Sequence, residues 1–181
     1  MNQGLIPRRY AKAILEFAAE RHEDRRIYDI FKRLVASFNA QPELNATMAN
    51  PFVSAADKQA LLRTAAGVTD DDAVFDDMVR LLVANHRIDC VRDIALAYLR
   101  LYRKAHEIYK VEVVSAAPLS PDEDKRLRAI IESHLNGAGM EYETRVSPDL
   151  IGGFVVDIDS ERLDASVRNQ LEQLRLTLIG K

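Results

Sequence analysis

The chain has 181 residues, of which 48% are hydrophobic and 29% charged, with a formal net charge of −3. This is the make-up of one large or two small globular domains, and it argues against a disordered chain and against a broadly basic nucleic-acid binder. The single cysteine, Cys90, rules out an intramolecular disulfide and a cysteine-rich metal site, and no apolar run reaches the ~20 residues of a membrane-spanning helix.

The first hundred or so residues predict six helices with short connections and no strand. Pro7 suits a first helical position, and Tyr10, Ala11, Ile14, Phe17 and Ala18 make an apolar face. The second helix places Ile27, Ile30, Phe31, Leu34, Val35 and Phe38 at helical spacing until Gln41-Pro42 breaks it. A short helical segment with Leu44 and Met48 ends at Asn50-Pro51. Ser54 with Asp57 reads as the start of a fourth helix, buried through Leu61, Leu62 and Ala65 and stopped by Gly67. A fifth helix carries Val74, Phe75, Met78, Val79, Leu82 and Val83. After Asn85-His86-Arg87 a sixth buries Ile88, Val91, Ile94, Ala95, Tyr98, Leu101 and Tyr102. Together these predict a helical bundle.

The pattern changes near Ile108, with a linker over residues 104–109. Residues 109–115 alternate as a β-strand with Val111 and Val113 on one side. Ser120-Pro121-Asp122-Glu123 is a full helix start, with Leu127, Ile130, Ile131 and Leu135 facing inward and Gly137 and Gly139 closing the helix. Residues 140–146 alternate as a half-exposed strand. Pro148-Asp149 and Gly152-Gly153 are turn residues before a third apolar strand, Phe154-Val155-Val156. Residues 159–162 read as a reversal, and Asp164 or Ser166 can cap a last helix. In that helix Val167, Leu171, Leu174 and Leu178 recur at spacings of four, three and four, with Arg168, Glu172 and Arg175 off the stripe. The expected class is α+β: a six-helix bundle over residues 1–105, then a small β-α-β-β-α domain over 106–181.

Candidate chemistry is sparse. Asp70, Asp71, Asp72, Asp76 and Asp77 could attract a hard cation. However, acids at a helix start complement its dipole, and the spaced ligands and glycine of a calcium loop are absent. His22, His86, His106 and His134 are scattered, with no zinc-ligand spacing and no nucleophile beside them. Cys90 starts a buried helix and reads as an inert core thiol. Gly152-Gly153 matches no phosphate-binding motif and precedes a strand. Arg8-Arg9 and Arg25-Arg26 are too few for a nucleic-acid track. No catalytic, cofactor or metal constellation is expected. What remains is surface: the wide apolar faces of the first and fifth helices suit either a central helix surrounded by others or a groove that receives a partner's amphipathic helix. The last helix can likewise cover the small sheet or offer part of its surface to a partner.

Three segments, in order along the chain, resemble one family. They are Arg9-Tyr10-Ala11-Lys12-Ala13-Ile14, Asn85-His86-Arg87-Ile88, and the turn Leu150-Ile151-Gly152-Gly153-Phe154 followed by Asp164-Ala165-Ser166-Val167-Arg168. They resemble the bacterial F-type ATP synthase delta subunit and its mitochondrial counterpart, the oligomycin-sensitivity-conferring protein. The family usually shows Gly or a basic residue where His86 stands. The resemblance implies a non-catalytic subunit of the peripheral stalk. Its helical domain (1–105) would bind the N-terminal helices of alpha subunits in a groove on Tyr10, Ala11, Ile14, Met78, Val79 and Leu82. Its second domain (106–181), carrying the signature Gly152, Gly153, Phe154 and Arg168, would bind the ends of the b subunits. It further implies no cofactor, no nucleic acid, no direct membrane insertion, and a peripheral place at the cytoplasmic face of a bacterial plasma membrane. A family motif beginning almost at Met1 leaves no room for a transit peptide, which favours a bacterial protein. The rival readings are an unrelated helical adaptor or RNA-binding module, and a metal-dependent hydrolase using the aspartates.

Overall fold

The structure, a computed structural model, describes residues 4–68, 72–159 and 161–179 and divides into two units, Met1–Arg103 and Lys104–Lys181. Asp70, Asp71 and Ser160 lie outside the described residues. The first unit runs α1 (Leu5–Glu20), α2 (Asp24–Ala40), α3 (Glu43–Ala49), α4 (Ala55–Ala66), α5 (Ala73–Ala84), a 3-10 turn at Ile88–Cys90, and α6 (Val91–Ala105).

Helices α2 and α6 have the most regular apolar spacing, and they supply Tyr28, Phe31, Phe38 and Tyr98, the bulkiest buried side chains. Phe31 meets Tyr98 edge-on with centroids 4.9 Å apart, and Tyr28 stacks on Tyr102 at 4.3 Å. Such pairs add ~0.5–1.5 kcal/mol beyond the area they bury. The Tyr98 hydroxyl donates to the Asp24 carbonyl at 2.9 Å, and burial holds its pKa well above the ordinary value. Helix α2 also closes α4, whose last carbonyls have no partner within their own helix. Arg33 Nε donates to Ala66 O at 2.8 Å, and Ser37 Oγ to Ala65 O at 2.7 Å. Gly67 then turns the chain away at φ +61.

Inward assignments shift on α4 and on α6, with Ala65 half-buried. Leu61 is 40% exposed, because α4 buries the line Lys58, Leu62, Ala66, one residue further round. On α6, Leu99 is buried and Leu101 only half-buried.

The second unit runs β1 (Ile108–Ser115), α7 (Pro121–His134), β2 (Gly139–Val146), β3 (Phe154–Ile158), β4 (Glu161–Asp164) and α8 (Val167–Ile179). The sheet order is β2-β1-β3-β4, with β1 parallel to β2 and the other neighbours antiparallel. The β1-α7-β2 crossover lays α7 over the face that carries Val111, Val113 and Val156, where Ile131 completes a four-residue buried core. Ser120 and Glu123 form the reciprocal cap that starts α7. So small a core takes only the line Leu127, Ile131, Leu135. Ile130, expected inside, is 66% exposed.

Strand β4 adds to the expected order, which becomes β-α-β-β-β-α. The reversal occurs, since Ile158 faces Glu161, but the chain then pairs on to Val155 opposite Asp164 before the helix. Arg162 Nε donates to Asp157 at 2.6 Å across this pair. With Leu163 its one apolar residue and all four residues exposed, β4 lacks the alternation that marks a half-buried strand.

Helix α5 ends with His86 at φ +53, Arg87 N donating to Leu82 O at 2.8 Å and His86 N to Val83 O at 3.0 Å. This closure wants a left-handed residue, normally glycine. His86→Gly is therefore expected to stabilise the first unit by roughly 0.5–1 kcal/mol, read as a raised urea midpoint at unchanged slope.

Candidate partner-binding surfaces

Of the six residues expected to line a helix-receiving groove, Ala11, Ile14, Met78, Val79 and Leu82 are buried within the first unit, and Tyr10 is half-buried. Periodicity marks an apolar face without saying how much of it the chain's own helices cover. On α1 the covered line is Pro7, Ala11, Ile14, Ala18. Beside it runs a second line at the same spacing, Ile6, Tyr10, Ala13, Phe17, whose members are half-buried except for exposed Ala13. Arg21 caps its far end, with the guanidinium 4.2 Å from the Phe17 ring centre. Two parallel lines on one helix were legible in the sequence, although Ile6 was missed.

On α5, Leu81 is exposed and Val83 half-buried, outside the core line. Beside Val79 a shallow pocket of about 140 Å³ is lined by Gln59, Arg63, Asp76, Val79 and Arg80, so this concavity joins α5 to α4. Arg63 grips Asp76 through both guanidinium nitrogens, Nε at 2.9 Å.

The described aspartates of the acidic cluster are each engaged by arginine. Asp72, buried, accepts from Phe75 N at 3.1 Å to cap α5 and pairs with Arg26 Nη2 at 2.8 Å. Asp76 pairs with Arg63 and Asp77 with Arg80. Among the described residues no group of three His, Cys, Asp or Glu is arranged to hold a metal ion. Burial pushes the half-buried Cys90 thiol up, away from the reactive thiolate.

The signature of the second unit has a mechanical reading. Gly153 sits at φ +78, and a Cβ there would fall 2.3 Å from Ala165 O; at Gly152 a Cβ would fall 2.9 Å from Val167 Cγ2. The two glycines thus admit the segment before α8 against the backbone of the turn. Once admitted, it is fixed on both sides: Val167 N donates to Gly152 O and Ala165 N to Phe154 O, each at 3.0 Å. Ser166 resolves the choice of cap, accepting from Asn169 N at 3.2 Å, while Asp164 accepts from Ser166 N at 2.9 Å. Arg168 Nη2 donates to Asp149 O at 3.2 Å, tying the first turn of α8 to the loop before the glycines.

Beyond this anchor the described apolar side chains of α8 stay exposed. Val167, Leu171, Leu174 and Leu178 are 37, 55, 59 and 79% exposed, and no described side chain of the helix is buried. Ile151 and Leu163 of the same unit are also exposed. Three carboxylates of this unit are held below their ordinary values: Glu123 by the Ser120 hydroxyl and then its N–H, Asp157 by Arg162, and Asp164 by Ser166.

The comparisons with known proteins agree along the whole chain. The family model of the ATP synthase delta (OSCP) subunit matches residues 6–178. ATP synthase subunit delta of Bacteroides thetaiotaomicron is 37% identical over 182 residues, covering 100% of this chain and 97% of its own. The subunit delta of Prochlorococcus marinus is 34% identical over 171 residues, covering 93% and 92%. A chain of the cryo-EM structure of the Toxoplasma gondii mitochondrial ATP synthase hexamer shares the fold, with a TM-score of 0.75 at 19% identity and coverage of 96% and 97%. These matches leave the RNA-binding and hydrolase readings without support.

Gly153→Ala is expected to destabilise the second unit by about 2–4 kcal/mol, since backbone strain and a clash with Ala165 O combine. Gly152→Ala, which meets only a side chain that can turn, is expected to cost roughly 1 kcal/mol or less; urea denaturation followed by unit-resolved hydrogen exchange separates the two. The three depressed carboxylates stabilise the fold fully above their ordinary values of 3.8 and 4.5, and that contribution is lost as pH falls through their lower folded-state values. Melting temperatures measured from about pH 5 to about pH 2 are expected to fall less steeply in Asp157→Asn than in the parent.

Proposed function

The chain belongs to the ATP synthase delta (OSCP) subunit family, and from this we propose that it ties alpha subunits of the catalytic head to the ends of the membrane-anchored b subunits. As a family member it is a non-catalytic component of the peripheral stalk. The stalk's task is mechanical: the head must not turn with the rotor, so the joint has to hold two partners against torque.

The observation that carries the reading is the uncovered apolar line of α8, four side chains on a helix that buries none. Full burial of such a side chain is worth ~1.5–3 kcal/mol, and covering what remains exposed of each supplies part of that. Association itself costs ~4–15 kcal/mol, so a stable joint also draws on the exposed Ile151 and Leu163 of the same unit. This surface is the one assigned to the b ends, with Gly152, Gly153 and Phe154 setting the position of α8.

The first unit is assigned to the alpha subunits. A partner's amphipathic helix would lie along the half-exposed line Ile6, Tyr10, Ala13, Phe17 of α1 and use Leu81 of α5. The residues Ala11, Ile14, Met78, Val79 and Leu82 belong to the interior of the same unit. No described helix is long and apolar enough to cross a membrane. The proposed place is therefore peripheral, at the cytoplasmic face of a bacterial plasma membrane, with attachment through the b subunits.

Calorimetric titration of the full chain tests both assignments. A peptide from the N-terminus of the same organism's alpha subunit and the C-terminal segment of its b subunit are expected to bind saturably, each in the presence of the other. Ala13→Glu is expected to weaken the alpha peptide at least about tenfold, with melting temperature and b binding unchanged. Absence of alpha-peptide binding, or binding indifferent to Ala13→Glu, would remove α1 from the assignment.

A further inference from the structure

The exposed residues on α8 form an apolar line whose spacing, shared with the lines on α1, also fits a coiled-coil seam. Steps of four, three and four from Val167 through Leu171 and Leu174 to Leu178 are the alternating d and a positions of a heptad. In that register Arg168 and Arg175 both fall at e, the flank that meets a coiled-coil partner, while the g positions, Gln170 and Thr177, are neutral. Leu176 falls at f, outside the seam. Every side chain from 170 to 178 is exposed.

We propose that α8 is one strand of a short coiled coil whose other strand is an amphipathic helix with acidic residues on the flank facing Arg168 and Arg175. This rests on the assignment of the second unit to the b ends and specifies how the contact is made. Charge selects the occupant. Two copies of this chain pairing antiparallel would set e against e, arginine against arginine. Pairing parallel would set each arginine against a neutral g residue and gain nothing. An acidic flank instead meets two guanidinium groups at the edge of an apolar seam. The arginines' present contacts are readily exchanged: Arg168 Nη2 reaches the exposed Asp149 carbonyl at 3.2 Å, and Arg175 Nη1 lies 4.0 Å from Glu172. At 13 residues α8 is too short to be a firm helix alone. The glycine turn and the Ser166 cap fix its start, and the partner supplies the rest.

The test titrates the full chain with three probes. One is the C-terminal segment of the same organism's b subunit. The others are designed peptides of about four heptads with leucine at a and d, one with glutamate and one with lysine at e and g. The b segment and the glutamate peptide are expected to bind, and the lysine peptide at least ~10-fold more weakly. In the Arg168→Glu, Arg175→Glu double variant, with its far-UV circular dichroism unchanged, the preference between the designed peptides is expected to reverse and b binding to weaken at least ~10-fold. If the b segment binds parent and double variant alike, or both designed peptides bind equally, the seam is overturned while the assignment to b stands. If the b segment does not bind the parent chain, that assignment fails and the proposal with it.

Discussion

The second unit depends on one close approach. Gly153 lets the backbone at Ala165 come within the distance that any side chain would occupy, and its left-handed φ turns the chain into β3. From that contact follow the paired hydrogen bonds that clamp residues 165–167 to the turn, the cap by Ser166, and the direction in which α8 leaves the sheet. The family signature is therefore a hinge-pin in backbone form. Its glycines fix where α8 begins.

The two units contrast in how complete their cores are. The first closes on itself: interlocked rings of α2 and α6, side chains of α2 on the last carbonyls of α4, and a buried aspartate capping α5 all leave it with a continuous interior. It offers outward the half-covered line on α1 and Leu81 on α5, besides other exposed apolar side chains such as Phe52. The second unit has a buried apolar cluster of four, Ile131 of α7 with Val111, Val113 and Val156, and beyond its anchored first turn α8 keeps its described side chains exposed. Under the proposed assignment, a stator joint built this way would pair a preformed platform with an element whose packing is finished by its partner. That combination would give a rigid hold on one side and a contact made by ordering on the other.

Helices, capping boxes and the change from helical to alternating pattern were legible in the sequence because they rest on local chemistry. Ser120-Pro121-Asp122-Glu123 starts α7 as its residues dictate, and the apolar spacing of α2 and α6 marks the two central helices. Exposure was less legible. Tyr10, Ala11, Ile14, Met78, Val79 and Leu82 read as a surface groove, yet all but Tyr10 are interior, while the equally periodic stripe of α8 is outside. Periodicity reports that an apolar face exists; whether the same chain covers it is a property of tertiary packing. Strand β4 escaped for the opposite reason, since an edge strand of Glu-Arg-Leu-Asp is held by its ladder and by Arg162–Asp157, without an apolar code. His86 at positive φ was invisible in composition and periodicity.

Amide hydrogen exchange on the full chain, free and then saturated with the b-subunit segment, tests this division most directly. The account predicts strong protection of α2 and α6 in both states. In α8 beyond Asn169, protection should be near zero in the free chain and rise by orders of magnitude on binding. An α8 already as protected as α2 in the free chain, or one unchanged by the bound segment, would contradict it.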